Sequence, residues 1–170
     1  MEKIKNVLFI CSGNTCRSPF AEYYAKWLQK TKYFEQLKEL KFDSAGIYHY
    51  FDKPQEGTVS YLNSKGIDIS DFKAKTITEE LLEKQDLILG FERKFHVDKL
   101  KRKFKNLPEL TKKLSLLLEF TEGKGNLDIF DPFGMEEEEY NKILHKIEIA
   151  VEKALEKIIK INNSTYRNGD

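Results

Sequence analysis

Cysteine, proline and tryptophan are scarce in this chain. Among 170 residues there are two cysteines, four prolines and one tryptophan. With only Cys11 and Cys16, a disulfide scaffold is excluded, and no zinc set can be built from cysteine. No run approaches the ~20 apolar residues of a membrane-spanning helix. Charge of one sign is lacking too. Twenty-nine Lys and Arg meet 28 Asp and Glu, for a net charge of +1. That gives no overall electrostatic case for nucleic acid or a membrane surface. Internal repeats and low-complexity linkers are absent. Met1-Glu2-Lys3-Ile4-Lys5 has no apolar secretory core, so a cytoplasmic protein with reduced thiols is expected. The glycosylation-like Asn162-Asn163-Ser164 is then accidental.

What is present suits one domain with a full core. We expect it over residues 1–161, with 162–170 as a flexible tail. Strand-like apolar runs alternate with helical periodicity. The strands are expected at 7–10, 41–46, 86–89 and 114–120. Helices are expected at 19–32, 54–65, 78–84, 91–104 and 136–161, the last carried by Ile143, Ile147, Ala150, Val151, Ala154, Leu155 and Ile158. Gly66 stops the second helix. Glu136 to Glu139 suit the start of the last one, where the helix dipole favours acids. The alternation implies an α/β fold, a four-stranded parallel sheet with helices on both faces. Ligands of such sheets bind beyond the strands' carboxyl ends.

One stretch lies where that rule points. Val7-Leu8-Phe9-Ile10 leads into Cys11-Ser12-Gly13-Asn14-Thr15-Cys16-Arg17-Ser18-Pro19, and a helix follows. Strand, polar loop and helix aim backbone N–H groups and a helix N-terminus at an anion. Such a field favours a thiolate at Cys11 and attracts phosphate. Arg17 can grip two phosphate oxygens in a fork. Gly13 permits a tight turn and close ligand approach. Ser18 can donate to the sulfur and make it a better leaving group. In-line attack by the thiolate would give a cysteinyl-phosphate. No metal or cofactor is called for, because Arg17 and the loop amides supply the positive charge.

These nine residues resemble the phosphate loop of the low-molecular-weight protein tyrosine phosphatases, which reads Cys-x-Gly-Asn-x-Cys-Arg-Ser-Pro after the first strand. The resemblance implies Cys11 as nucleophile and Arg17 as phosphate binder. Ser12, Gly13, Thr15 and Cys16 complete the loop, and Asn14 and Ser18 hold it. It also implies a reversible Cys11–Cys16 disulfide that shields the nucleophile; the alternative is that Cys16 is a small buried packer. Ser44, in Ser44-Ala45-Gly46, matches a serine that supports the loop. Tyr48 and Tyr50 are candidates for an aromatic beside the substrate, and Phe133 for a cleft wall. Glu92 falls where the family has a polar residue flanking the cleft. Asp71 stands where many members carry a histidine directed at the loop-holding asparagine.

A departing alkoxide or phenoxide needs a proton, and one carboxyl group can give it and later take one from water. Asp131, in Phe130-Asp131-Pro132-Phe133-Gly134, matches the family's Asp-Pro acid loop, with Asp128 as the fallback. The expected activity is hydrolysis of phosphotyrosine on a phosphorylated protein or peptide. Thr15 takes the place of an apolar residue usual in tyrosine-directed members and resembles the bacterial protein-arginine phosphatases, so phosphoarginine is the alternative. Arsenate reductases of related fold need a further downstream cysteine. A phosphoprotein-binding module would be expected to have lost Cys11, Arg17 or the acid. The basic stretch from Lys94 to Lys105 is read either as a solvated face or as a dock for acidic or phosphorylated substrates.

Overall fold

The computed structural model describes residues 2–167, without the side chains of the last two. Four strands, β1 (Asn6–Cys11), β2 (Lys41–Gly46), β3 (Leu87–Gly90) and β4 (Leu114–Leu116), form one parallel sheet in the order β2-β1-β3-β4. Eight α-helices accompany them: α1 (Arg17–Thr31), α2 (Phe34–Leu37), α3 (Glu56–Ser64), α4 (Glu79–Glu83), α5 (Asp98–Lys103), α6 (Leu110–Lys113), α7 (Leu117–Thr121) and α8 (Glu137–Arg167).

β1 is apolar at every position from Val7 to Ile10 because both of its faces are covered. Its side chains alternate between two cores. Val7 and Phe9 pack with Phe20 and Leu28 of α1 and with Leu144, Ile147 and Val151 of α8. Leu8 and Ile10 pack with Leu82, Val97, Leu100 and Leu110 on the other face. The chain leaves β1 for β2 on one side and reaches β3 on the other. The crevice of a sheet wound in both directions opens at such a reversal. Here it lies at the carboxyl end of β1, beside Cys11.

The short helices α2 and α6 were not expected, most boundaries fall within two residues of those expected, and three elements differ by more. The run 114–120 is not one strand. Pairing with β3 ends at Leu116, and Leu117 and Leu118 turn as α7 into the α1–α8 core. The Glu119 carboxylate folds back to accept the Leu116 N–H at 3.5 Å, which favours the turn. The stretch 91–104 opens not as an α-helix but as a π-helical turn over Arg93–Val97, which runs on into α5. α8 does not stop at Ile161 but continues to Arg167. Asn162, expected in the tail, is buried, and its carboxamide both donates to the Ile4 carbonyl and accepts the Ile4 N–H, at 2.8 Å each. The expected tail residues 168–170 lie outside the described residues.

Candidate active site

The loop from Cys11 to Arg17 is anchored by its carbonyls. Those of Cys11, Ser12 and Thr15 accept the N–H groups of Ile47, Tyr48 and Gln55 at 3.0, 2.8 and 2.9 Å. These bonds tie three of the loop's carbonyls to the neighbouring chain. Asn14 takes the left-handed conformation, with φ 55°, rather than Gly13. Gly13 serves another end: a Cβ there would come within 2.8 Å of the Tyr50 ring. Gly46, at the end of β2, lets the loop backbone approach to distances no side chain would tolerate.

Behind the loop, Asn14 uses its whole carboxamide. Its Nδ2 donates to Ser18 Oγ and to Ser44 Oγ, both at 2.9 Å, and its Oδ1 accepts the Lys75 N–H at 3.0 Å. With Ser18 Oγ already accepting from Asn14, its hydroxyl hydrogen is free for Cys11 Sγ, 2.9 Å away. The sulfur also accepts the Asn14 N–H at 3.3 Å. Asp71 takes no part. Its carboxylate accepts the Tyr23 hydroxyl at 2.8 Å, and the Lys75 main chain occupies the place beside Asn14.

Arg17 is almost wholly buried. Its Nη1 donates to the Glu92 carboxylate and, at 2.9 Å, to the Ile129 carbonyl, and the guanidinium sits 5.9 Å from the Phe91 ring centroid. Its Nη2 is 3.6 Å from Asp131 Oδ2. Its Nε, buried, has no partner at all. One edge of the guanidinium is thus spent on the protein, and the Nε–Nη2 edge is left for an oxyanion. An unmet buried donor costs about 1–3 kcal/mol, which is tolerable where a ligand supplies the acceptor.

Cys11, Ser12, Gly13, Thr15, Cys16, Arg17, Tyr50, Phe51, Asp131 and Phe133 surround one cleft of about 420 Å³. Asp131 is half exposed at its mouth, and its Oδ1 accepts the Phe133 N–H at 3.1 Å. Phe51 and Phe133 stack across the cleft with centroids 6.0 Å apart. Tyr48 is not among the lining residues, and Phe51 stands where it was expected. Asp128 is committed elsewhere, accepting the Arg93 N–H at 2.8 Å.

Two supports carried no sequence signal. His96, fully buried on the π-helical turn, accepts the N–H groups of Phe91 and Glu92 at Nδ1, each at 3.0 Å. Its proton therefore sits on Nε2, which donates to Ser12 Oγ at 3.2 Å. Burial and the nearby Arg17 charge hold its pKa well below 6.5, so it stays neutral. On the opposite side, Tyr140 of α8 shares a hydrogen bond with Thr58 Oγ1 at 2.8 Å, and the Thr58 hydroxyl donates to the Cys16 carbonyl at 3.1 Å. Burial pushes the Cys16 thiol up to about 12.

The sequence model of the low molecular weight phosphotyrosine protein phosphatases matches residues 6–164. The chain belongs to that family. It is therefore a phosphatase by kinship, acting on phosphorylated protein. The family relative YfkJ of Bacillus subtilis, named a low molecular weight protein-tyrosine-phosphatase, is 34% identical over 132 residues, 75% of this chain and 80% of its own. The solved YwlE arginine phosphatase from Geobacillus stearothermophilus superposes with a TM-score of 0.81 at 26% identity, covering 94% of this chain and 96% of that one. An arsenate reductase of Halalkalibacterium halodurans is 39% identical over 85 residues, 50% of this chain and 55% of its own. Within the phosphatase family, then, both tyrosine- and arginine-directed names occur beside this chain. No helix among the described residues is long and apolar enough to cross a membrane.

Proposed function

We propose that the protein hydrolyses phosphotyrosine on protein or peptide substrates through a cysteinyl-phosphate on Cys11. The observation that carries this reading is the unpartnered Nε of buried Arg17 on the rim of the cleft that contains Cys11. The phosphoryl group would take the Nε–Nη2 fork and the loop amides. The Cys11 thiolate attacks phosphorus, forming the P–S bond as the P–O ester bond breaks. Asp131 gives its proton to the departing oxygen. Water then attacks phosphorus and yields a proton to Asp131. The P–S bond breaks, the thiolate returns, and inorganic phosphate leaves. Ser18, which can donate to the sulfur, helps it depart in this second step. Cys16, a buried free thiol, serves as a packing residue, with a reversible disulfide to Cys11 as the alternative.

Phosphotyrosine is favoured by Tyr50, Phe51 and Phe133, whose rings suit a phenyl group between them. Phosphoarginine hydrolysis by the same steps is the second reading. It is favoured by Thr15, which lines the cleft and puts a hydroxyl there in place of an apolar side chain. Arsenate reduction through three thiols is not open to a chain with two cysteines.

The test is kcat/KM on phosphotyrosine and phosphoarginine peptides side by side, without metal, with Cys11→Ser as the blank. Preference for phosphotyrosine makes the rings the selectors. Preference for phosphoarginine makes Thr15 the selector, and Thr15→Ile should then reverse it. Turnover of neither overturns both readings.

A further inference from the structure

A second groove adjoins the cleft. It holds about 290 Å³ and is lined by Ser12, Tyr48, Lys94, Phe95, Lys99 and Arg102. Ser12 belongs to both concavities. The wall between them is the ring pair Tyr48–Tyr50, with centroids 5.8 Å apart, Tyr50 facing the phosphate loop and Tyr48 the groove.

The groove's charge is one-sided. Several surface lysines elsewhere are paired with carboxylates, as Lys75 is with Asp43, Lys84 with Glu80 and Lys142 with Glu139. Among the described residues, Lys94, Lys99 and Arg102 form no ion pair. Lys94 lies 5.5 Å from the Phe95 ring centroid and Lys99 5.7 Å from that of Tyr48. These contacts steady the two ammonium groups without neutralising them. Arg102 is exposed, and Phe95 is half exposed beside it. For a protein of net charge +1, three unneutralised cations on one groove are a local field, not a consequence of bulk composition.

We propose that this groove is a substrate subsite for an acidic side chain, Asp or Glu, about two residues of extended chain from the phosphorylated one. The proposal rests on the phosphatase reading above. A peptide whose phosphoryl group sits on the loop must leave the cleft over one of its walls. Leaving over the Tyr48–Tyr50 wall puts its next side chains above Lys94, Lys99 and Arg102. A carboxylate there meets three donors, and the stem of the side chain meets Phe95 and Tyr48. Exposed pairs are individually weak, each worth roughly a factor of two in binding. Three acting together predict about a five- to tenfold preference, expressed in kcat/KM and diminished by salt.

The experiment uses two phosphopeptides that differ only in Glu or Gln at the residues two before and two after the phosphorylated one, together with p-nitrophenyl phosphate. The wild-type protein and the Lys94→Ala/Arg102→Ala variant are compared at 20 mM and 300 mM salt. The expected result is a Glu preference of about fivefold or more at low salt. It should shrink at high salt and fall to about twofold or less in the variant, which keeps Lys99, while turnover of p-nitrophenyl phosphate stays unchanged. Equal kcat/KM for the two peptides, or a preference undiminished by the double substitution, overturns the subsite. Failure of the wild-type protein to turn over p-nitrophenyl phosphate overturns the phosphatase reading instead, so the two failures are distinct.

Discussion

Glu22→Gln is expected to make the protein more heat-stable above pH 7 and to leave it unchanged near pH 4. Glu22 lies on α1 with its carboxyl buried, 3.4 Å from Lys26 and in hydrogen-bond contact with Asp43. Loss of hydration dominates over the Lys26 charge, and the group is pushed up from 4.5 to about 7. Between those values the folded chain holds a proton that the unfolded chain has lost. Stability therefore falls as pH rises through this window, and the loss is complete above pH 7. The difference is worth about 3 kcal/mol, taken to one figure. For a chain of this size it corresponds to roughly 6–12 °C in Tm. Glutamine keeps the shape and a donor for Asp43 but never ionises. His96 works in the opposite sense: its depressed pKa costs stability as pH falls below 6.5. It does so equally in both proteins and cancels in their difference. The assay is thermal unfolding of the two proteins at half-unit steps from pH 4 to pH 8.5. A Tm difference that is flat across this range, or a wild type that is the more stable at pH 8, would refute the reasoning.

Two further outcomes follow from the site. Glu92→Gln keeps a hydrogen bond to Arg17 but removes the charge that orients it, and a buried charge-assisted bond is worth about 1.5–3 kcal/mol. A loss of roughly ten- to a hundredfold in kcat/KM on p-nitrophenyl phosphate is expected, with weaker phosphate inhibition; unchanged inhibition would mean that Glu92 does not position the guanidinium. Iodoacetamide at pH 7.5 should modify Cys11 in the folded protein and reach Cys16 only after denaturation, because burial keeps that thiol protonated. Mass spectrometry of the alkylated peptides decides it, and equal labelling of both cysteines in the folded state would contradict the burial argument.

The parts of the chain that could be read from sequence are those governed by local chemistry. The apolar run of β1, the phosphate loop and the period of α8 each carry their own signal. The position of Asp131 beside the cleft was legible through its Asp-Pro setting. What was not legible depends on contacts far apart in the chain. Leu116-Leu117-Leu118 is an apolar triplet that suits strand and helix alike, and only the end of the sheet decides between them. Asp71 and Lys75 differ by four positions, and nothing local says which one meets Asn14. His96 has no motif around it. Its part comes from a π-helical turn that folds its ring under two amides. Tyr48 and Tyr50 flank the same histidine, and only the folded course of the loop puts Tyr50 on the cleft and Tyr48 on the neighbouring groove.

The bonds between Asn162 and Ile4 have a consequence for how the molecule is made. They join positions 158 apart in the chain and cannot exist until synthesis has reached Asn162, within the last helix. The support of Tyr140 behind Cys16 and Thr58 arrives on that same helix. The nine residues of the phosphate loop thus leave the ribosome well before the helix that backs them. A nascent chain halted before α8 carries the whole motif and lacks the wall that holds it in shape.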